Sequence, residues 1–231
     1  MNRLPITSLW ISAFLLLLSC TAENRDNPGP FAEKTEKKET TVSSKKKSSK
    51  STKKKTGTKT GISKSRSTVN RAEDLANYAH KNGYSSKYCF LVDMSLPSGR
   101  NRFFVYDIEN RDIAYAALVA HGSCNENFLS RPRFANTPEC GCSSLGKYKV
   151  GALYNGKYGK SYRLYGLEKS NSNAFKRGVV IHGYDCVPDN EIHPMVLCNS
   201  LGCPMVSYRF FNRLTRIISQ SGKPILLWVY R

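Results

Sequence analysis

Residues 179–207, VVIHGYDCVPDNEIHPMVLCNSLGCPMVS, contain the signals that decide the fold and the chemistry predicted for this chain. The stretch opens with an apolar run that is typical of a buried strand and ends in His182. Seventeen residues separate His182 from Ser200, which begins the sequence Ser-Leu-Gly-Cys-Pro. A thiolate nucleophile needs an imidazole within hydrogen-bond reach to take its proton. We therefore predict that His182 and Cys203 meet in space as base and nucleophile.

A nucleophilic cysteine also needs N–H groups aimed at the oxyanion that forms when it attacks a carbonyl group. Because Gly202 permits a tight turn, the amides of Leu201, Gly202 and Cys203 are predicted to form this oxyanion hole. The alternative role for Cys203 is structural, since disulfides account for most cysteines in secreted proteins. One histidine and one cysteine do not by themselves decide between these two roles.

The sequence on either side of this stretch predicts a mainly β domain. Apolar and polar residues alternate with a period of two, and turn sequences such as PSGR and ENR separate the runs. The predicted strands lie within residues 87–96, 101–108, 112–122, 145–154, 160–168, 176–183 and 223–231.

Two helices are predicted at the edges of this domain. Asn70 and Glu73 have the spacing of a capping box and Gly83 is a C-terminal stop, which predicts a short helix between them. The second helix is predicted within YRFFNRLTRIISQSG, residues 208–222, where apolar residues recur at helical spacing and Gly222 is the stop.

The order and spacing of His182 and the Ser-x-Gly-Cys-Pro motif closely resemble the active-site motif of the L,D-transpeptidases. These are cysteine enzymes that crosslink bacterial peptidoglycan through acyl-enzyme chemistry on a β-rich catalytic domain. The stretches RFANTPECGCSSLGKYKV, NGKYGKSYRLYGLE and NAFKRGVVIHG resemble the subfamily of lipoproteins and secreted proteins whose motif ends in GCP. The resemblance spans roughly residues 87–207, most of the predicted domain.

The resemblance implies a role for each residue that matches the motif. Cys203 matches the nucleophile and His182 the general base. The carbonyl group of Gly183 matches the group that orients the imidazole ring. Ser200 matches the small hydroxyl residue beside the oxyanion hole.

Two positions depart from the more familiar family pattern. Leu201 stands where the family has a histidine before the glycine, which is tolerable if that position acts through its backbone amide. Met205 stands where the family has Asn or Arg, so a polar group that would position substrate is missing. Other Cys/His enzymes fit less well: papain-like peptidases place the cysteine before the histidine, and sortases have a much longer gap between the two.

Smaller roles are predicted for Asn199 and for the three other histidines. His121, at the end of a predicted strand, and Asn199 are predicted to bind substrate. The alternative for His121 is a packed, hydrogen-bonded residue. His193 lies in the loop before the nucleophile, and His80 is expected on a helix surface. We expect no metal, because the sequence has neither a C-x-x-C pair nor a spaced pair of histidines. We also expect no cofactor.

Six cysteines remain after Cys203 and Cys20 are set aside. In an oxidising compartment disulfides are the default, and six thiols allow 15 connectivities. Cys186 and Cys198 bracket the loop between base and nucleophile, which favours that pair. The pairing of the others stays open: Cys89, Cys124, Cys140 and Cys142.

The first 19 residues have the pattern of a secretory signal peptide. The apolar run from Leu9 to Leu18 is about half as long as the roughly 18 residues that would span a membrane. The sequence Leu-Leu-Ser-Cys that ends at Cys20 resembles a bacterial lipobox. We therefore predict that Cys20 is lipidated and that the protein is anchored to the outer face of a membrane.

A basic linker is predicted from residue 20 to residue 70. Residues 1–70 hold 15 of the 36 basic side chains and only 5 of the 17 acidic ones, so they carry over half of the net charge of +19. Such a segment cannot bury enough apolar surface to fold. Because the signal peptide directs the chain out of the cytoplasm, we expect no nucleic-acid partner. Two roles of the linker stay open: a solvated spacer, or a segment that is attracted to an anionic surface of the cell envelope.

Residues 71–231 are thus predicted to be one L,D-transpeptidase-like catalytic domain of ordinary size. The expected function is peptidoglycan crosslinking through a thioester on Cys203, in a monomeric protein of the cell envelope, on the periplasmic side. Two alternatives stay open: an L,D-carboxypeptidase that uses water as acceptor, and a noncatalytic lipoprotein that binds peptidoglycan. The sequence does not distinguish the inner from the outer membrane.

Overall fold

A computed structural model of the chain describes residues 65–231, which all belong to one compact unit. Residues 1–64, with the predicted signal peptide, Cys20 and most of the linker, lie outside the described residues. The elements in chain order are α1 (Arg66–Lys81), β1 (Tyr88–Asp93), β2 (Phe103–Asp107), β3 (Asp112–Ala117), β4 (Gly146–Gly156), β5 (Gly159–Gly166), a one-turn 3₁₀ helix (Lys169–Asn171), β6 (Val180–Gly183), β7 (Met205–Val206), α2 (Tyr208–Ser219) and β8 (Leu226–Tyr230).

The strands form one eight-stranded sheet in the order β3-β2-β1-β8-β4-β5-β6-β7. Neighbouring strands are antiparallel, except that β1 pairs in parallel with β8 and β6 pairs in parallel with β7. Just after β3, Ala120 forms an antiparallel bridge to Met205 of β7. The two ends of the sheet therefore approach each other, and the sheet nearly closes. The predicted mainly β fold is confirmed.

The core lies on both faces of the sheet, because the central strands are buried on both sides. In β1, Phe90 and Val92 pack in one cluster with the apolar face of α2, which includes Phe211. The alternate residues Cys89 and Leu91 pack in a second cluster with α1. This alternation is the period of two expected of a strand. The seven predicted strands are all present, and β7 is an additional strand that the sequence did not indicate.

Helix α1 begins earlier than predicted. Its N-cap is Ser65, whose side chain makes no capping hydrogen bond, so the predicted capping box at Asn70 and Glu73 is wrong. The physical reason is that Thr68 is buried and extends the buried stripe of the helix by one turn toward the N-terminus. Gly83 follows the helix with a φ of +73°, as expected for a left-handed stop. His80 is exposed on the helix, as predicted.

Helix α2 follows β7 directly and holds the end of the nucleophile segment in place. Its N-cap is Ser207, whose side-chain oxygen accepts a hydrogen bond of 3.2 Å from the amide of Phe210. Such a cap satisfies one of the free N–H groups of the first turn. Gly222, the predicted stop, lies beyond the last helical residue, Ser219, with a φ of +66°.

Candidate active site

The parallel pairing of β6 with β7 brings the predicted base and nucleophile to one cavity. His182 lies in β6 directly opposite Met205 of β7, and Cys203 is two residues before Met205. A cavity of about 180 Å³ opens at this place. It is lined by Tyr158, His182, Tyr184, Asn199, Ser200, Leu201, Cys203 and Met205. The two groups that the sequence pattern predicted to act together therefore face the same small space.

His182 is held as a neutral imidazole with a defined orientation. Its side chain is 2% exposed, and Nδ1 lies 3.1 Å from the carbonyl oxygen of Gly183. Because a carbonyl oxygen only accepts, Nδ1 carries the proton and Nε2 keeps a free lone pair. Burial lowers the pKa of His182, and the hydrogen bond to Gly183 partly offsets this effect. The imidazole is thus unprotonated at neutral pH and able to accept a proton.

Two tyrosine rings enclose the imidazole of His182. Tyr158, in the turn between β4 and β5, stacks on it with ring centres 4.5 Å apart and planes 15° apart. Tyr184 approaches edge-on, with a centre distance of 6.2 Å. These rings limit the rotation of His182 and shield it from water, which is the cause of its lowered pKa.

Cys203 is a largely buried free thiol, with 8% of the residue exposed. Burial raises the pKa of this thiol, while a backbone hydrogen bond with Val180 and the positive charge of Arg177 lower it in part. The resting thiol is therefore protonated and shares its cavity with a neutral imidazole, so the two groups are not a preformed thiolate and imidazolium. In such a pair, the proton moves to the imidazole as the sulfur attacks.

The turn before Cys203 depends on glycine. Gly202 has a φ of +109°, and a Cβ at this position would lie 2.7 Å from the carbonyl oxygen of Cys142. The Gly202 amide donates to Ser200 Oγ at 3.1 Å, and the Ser200 hydroxyl donates to the carbonyl oxygen of Cys203 at 2.7 Å. Because the Gly202 amide is already bonded within the turn, the amides of Leu201 and Cys203 are the better candidates for binding an oxyanion.

Two disulfides frame this turn. The favoured pair Cys186–Cys198 is confirmed, and it closes the loop between β6 and the nucleophile turn. The second pair is Cys124–Cys142, which the sequence left open. Among residues 65–231 the free thiols are Cys89, Cys140 and Cys203.

His121 does not reach the cavity. It is fully buried, with Nδ1 2.9 Å from a guanidinium nitrogen of Arg102 and Nε2 3.0 Å from the carbonyl oxygen of Leu129. Burial and the neighbouring charge of Arg102 lower the pKa of His121 to about 4. His121 therefore links the buried Arg102 side chain to the backbone at Leu129 as a neutral residue, and its predicted contact with substrate would require a different conformation.

Asn199 lines the cavity, but its amide group is engaged. Its side-chain oxygen accepts from the amide of Leu129 at 2.6 Å, and its nitrogen donates to the carbonyl oxygen of Leu129 at 3.0 Å. These paired hydrogen bonds fix the loop around residue 129 beside the cavity. His193, in the loop before the nucleophile, is exposed and does not line the cavity.

Sequence patterns did not indicate Tyr158, Tyr184 or Arg177 as part of the site. Tyr158 lies in a hairpin turn, and Arg177 lies among basic residues that resemble an ordinary charged surface. Their positions depend on contacts between distant segments, which no local pattern reports. The one signal that could have pointed to Tyr158 is that it is the single aromatic residue in the otherwise polar NGKYGK turn.

No group of three or more His, Cys, Asp or Glu residues suited to a metal ion is found within residues 65–231. In the same part of the chain, neither helix is long and apolar enough to cross a membrane.

Comparisons with solved structures give distant matches. The chain is 14% identical to an L,D-transpeptidase fragment from Xylanimonas cellulosilytica, with 67% of this chain and 68% of that chain covered and a TM-score of 0.35. It is 14% identical to the Ldtfm-avibactam carbamoyl enzyme, with coverage of 63% and 49% and a TM-score of 0.38. It is 13% identical to the helical cell shape determining protein Pgp2 of Campylobacter jejuni, with coverage of 64% and 49% and a TM-score of 0.41.

The aligned part spans about half the length of the last two of these proteins. Among curated proteins, no match was found. The family comparison is decisive, because residues 59–230 match the L,D-transpeptidase catalytic domain. Since this match includes the cavity and well over half of the sequence, the chain belongs to the L,D-transpeptidase catalytic-domain family.

Proposed function

We propose that the protein is a peptidoglycan L,D-transpeptidase that works through a thioester on Cys203. Its family has a peptidoglycan-related, L,D-transpeptidase-type function. The proposed role of Cys203 as nucleophile rests on the cavity that it shares with His182. In that histidine Nδ1 is hydrogen-bonded to the carbonyl oxygen of Gly183, and Nε2 keeps its lone pair.

In the first half-reaction, Cys203 Sγ attacks the peptide carbonyl carbon that follows an L-residue of a donor stem peptide. The thiol proton moves to Nε2 of His182 as the carbon–sulfur bond forms. The carbonyl oxygen becomes an oxyanion, and the amides of Leu201 and Cys203 donate hydrogen bonds to it. When the oxyanion collapses, the carbon–nitrogen bond breaks, and the departing amine of the D-residue takes the proton from His182.

In the second half-reaction, an amine of a neighbouring stem peptide attacks the thioester. His182 takes a proton from this amine, and the sulfur leaves and is protonated again. If water attacks in place of the amine, the same steps give an L,D-carboxypeptidase. Leu201 and Tyr184 are exposed at the cavity rim, so they are the surfaces that a donor or acceptor peptide meets first.

The test is to incubate the purified chain with a disaccharide-tetrapeptide from peptidoglycan and measure the mass of the intact protein. We expect an added mass equal to the acyl fragment without the terminal D-residue, mapped to the peptide that contains Cys203. A crosslinked dimer among the products identifies a transpeptidase, and a shortened monomer alone identifies a carboxypeptidase. Binding of the muropeptide without any adduct would favour the noncatalytic peptidoglycan-binding protein instead.

The proposal includes a location on the periplasmic side of the cell envelope, as a lipid-anchored monomer. It rests on the signal-peptide pattern and on the lipobox-like sequence before Cys20. Cells grown with a labelled fatty-acid analogue are expected to label the wild-type protein and not Cys20→Ala. Cys140→Ala is the matched control, because it removes a different free thiol and should keep the label. Equal labelling of Cys20→Ala and wild type would exclude the lipid anchor.

A further inference from the structure

Arg177, just before β6, is a half-buried arginine that forms no ion pair with the acidic residues of the described range, 65–231. Its guanidinium group donates to the carbonyl oxygen of Ala135 at 3.1 Å, to Ser144 Oγ at 2.5 Å and to the carbonyl oxygen of Cys142 at 2.5 Å. The ion pairs of residues 65–231 do not include it. Three neutral acceptors therefore hold this guanidinium group in place, and no carboxylate of the described part of the chain neutralises its positive charge.

The segment that Arg177 binds packs directly against the nucleophile turn. A Cβ on Gly202 would lie 2.7 Å from the carbonyl oxygen of Cys142 and 3.2 Å from a guanidinium nitrogen of Arg177. Ser143 Oγ lies 3.4 Å from the carbonyl oxygen of Gly202. Arg177 and the carbonyl group that it holds thus form the surface on which the backbone of Gly202 rests.

A covalent link fixes the same segment from its other side. Cys142 is joined to Cys124 by a disulfide, and the amide of Cys124 donates to the carbonyl oxygen of Gly141 at 3.0 Å. The amide of Gly122 donates to Ser143 Oγ at 3.0 Å. With the disulfide on one side and Arg177 on the other, residues 141–143 have little freedom to move away from the turn.

We propose that Arg177 is a positioning residue for Cys203, which clamps residues 142–144 against the nucleophile turn and keeps an unpaired positive charge beside it. The inference rests on the proposed role of Cys203 as nucleophile. The charge stabilises the negative charge that develops on the sulfur during attack. It could compensate in part for Met205, which stands where related motifs carry a polar residue. In keeping with this, the positive charge of Arg177 lowers the pKa of the Cys203 thiol against the opposing effect of burial.

The other ionisable groups that face Cys203 do not supply this charge. Tyr158, His182 and Tyr184 line the same cavity. The pKa of His182 is lowered by burial, so its ring is neutral at neutral pH. The two tyrosines cannot supply a positive charge in either protonation state. Arg177 is therefore the cationic side chain that acts on the thiol.

The test compares Arg177→Gln and Arg177→Lys in the full chain, with Arg213→Gln as a matched control on α2. Arg213 lies over the ring of Tyr115, away from the cavity, and should behave as wild type. The rate of alkylation of Cys203 by iodoacetamide is measured from pH 6.5 to 11, because burial raises the pKa of this thiol, and peptide mapping separates it from Cys89 and Cys140. The melting temperature is measured in parallel.

We expect Arg177→Gln to shift the pH profile of the Cys203 alkylation rate upward by about one unit. At pH 8 the reaction should then be about tenfold slower than in wild type. Arg177→Lys keeps the charge but has one nitrogen in place of a planar fork, so its pH profile should stay close to wild type while its melting temperature falls. A lowered melting temperature with an unchanged pH profile in Arg177→Gln would overturn the electrostatic part of the inference.

If Arg177→Gln does not fold, Arg177→Lys decides the matter alone. A shift of its pH profile as large as one unit, despite the retained charge, would contradict the inference. Alkylation needs no substrate, so the result is independent of the thioester experiment. If Arg177→Gln shows the expected pH shift but the wild-type protein forms no thioester, the proposed function is rejected. If the wild-type protein forms the thioester but the pH profile of Arg177→Gln does not shift, only the role of Arg177 is rejected.

Discussion

Replacing Cys203 by alanine is expected to abolish thioester formation and to lower turnover of muropeptides by at least about 10⁴-fold, as for other enzymes that lose their nucleophile. The reason is that Cys203 is the one thiol among the described residues that line the cavity, and that the hydroxyl group of Ser200 donates its proton to the carbonyl oxygen of Cys203. Turnover is measured by chromatography of the products, and the adduct by intact-protein mass.

The matched control is Cys140→Ala, because Cys140 is also a free thiol but lies outside the cavity. This variant should keep wild-type turnover. Cys203→Ala should also keep a melting temperature close to that of wild type, because the change removes one sulfur from a partly open cavity. If Cys203→Ala retains turnover within tenfold of wild type, the sulfur is structural and the proposed mechanism fails.

The strands could be predicted from the sequence because successive side chains point to opposite faces of a strand, which gives the apolar pattern a period of two. In β1 and β2 the residues alternate between two core clusters, and that alternation is a local property of the sequence. β7 was missed because it consists of Met205 and Val206 alone, and two residues show no period. The start of α1 was missed because only the tertiary structure shows that Thr68 is buried.

Part of the candidate site could likewise be predicted because it depends on a local pattern of the sequence. His182 and Cys203 belong to one motif with a recognisable spacing, and a parallel strand pair brings the ends of that motif together. The disulfide Cys124–Cys142 was one of many permitted pairs, and sequence spacing does not select among them. Arg177 and Tyr158 act through contacts with segments far away in the chain, so their roles became visible only with the fold.

Replacing His182 by glutamine is expected to lower kcat/KM by about 10² to 10⁴, the range typical of general base catalysis. The resting thiol of Cys203 is protonated because burial raises its pKa, so attack requires a proton acceptor. In the proposed mechanism Nε2 of His182 is that acceptor, since Nδ1 donates to the carbonyl oxygen of Gly183. Glutamine is close in size to histidine but cannot take a proton at neutral pH. His80→Gln, on the exposed surface of α1, is the matched control and should leave kcat/KM unchanged.

The pH dependence distinguishes a base from a residue that only maintains the shape of the cavity. Burial lowers the pKa of His182, so the imidazole gains a proton only as the pH falls below the usual value of 6.5. Wild-type kcat/KM should therefore be level near neutral pH and fall on the acid side, with a midpoint below 6.5. His182→Gln should lose this acid limb together with most of its rate. An acid limb that persists unchanged in His182→Gln would assign the titration to another group, and His182 would then be a packing residue between two tyrosine rings.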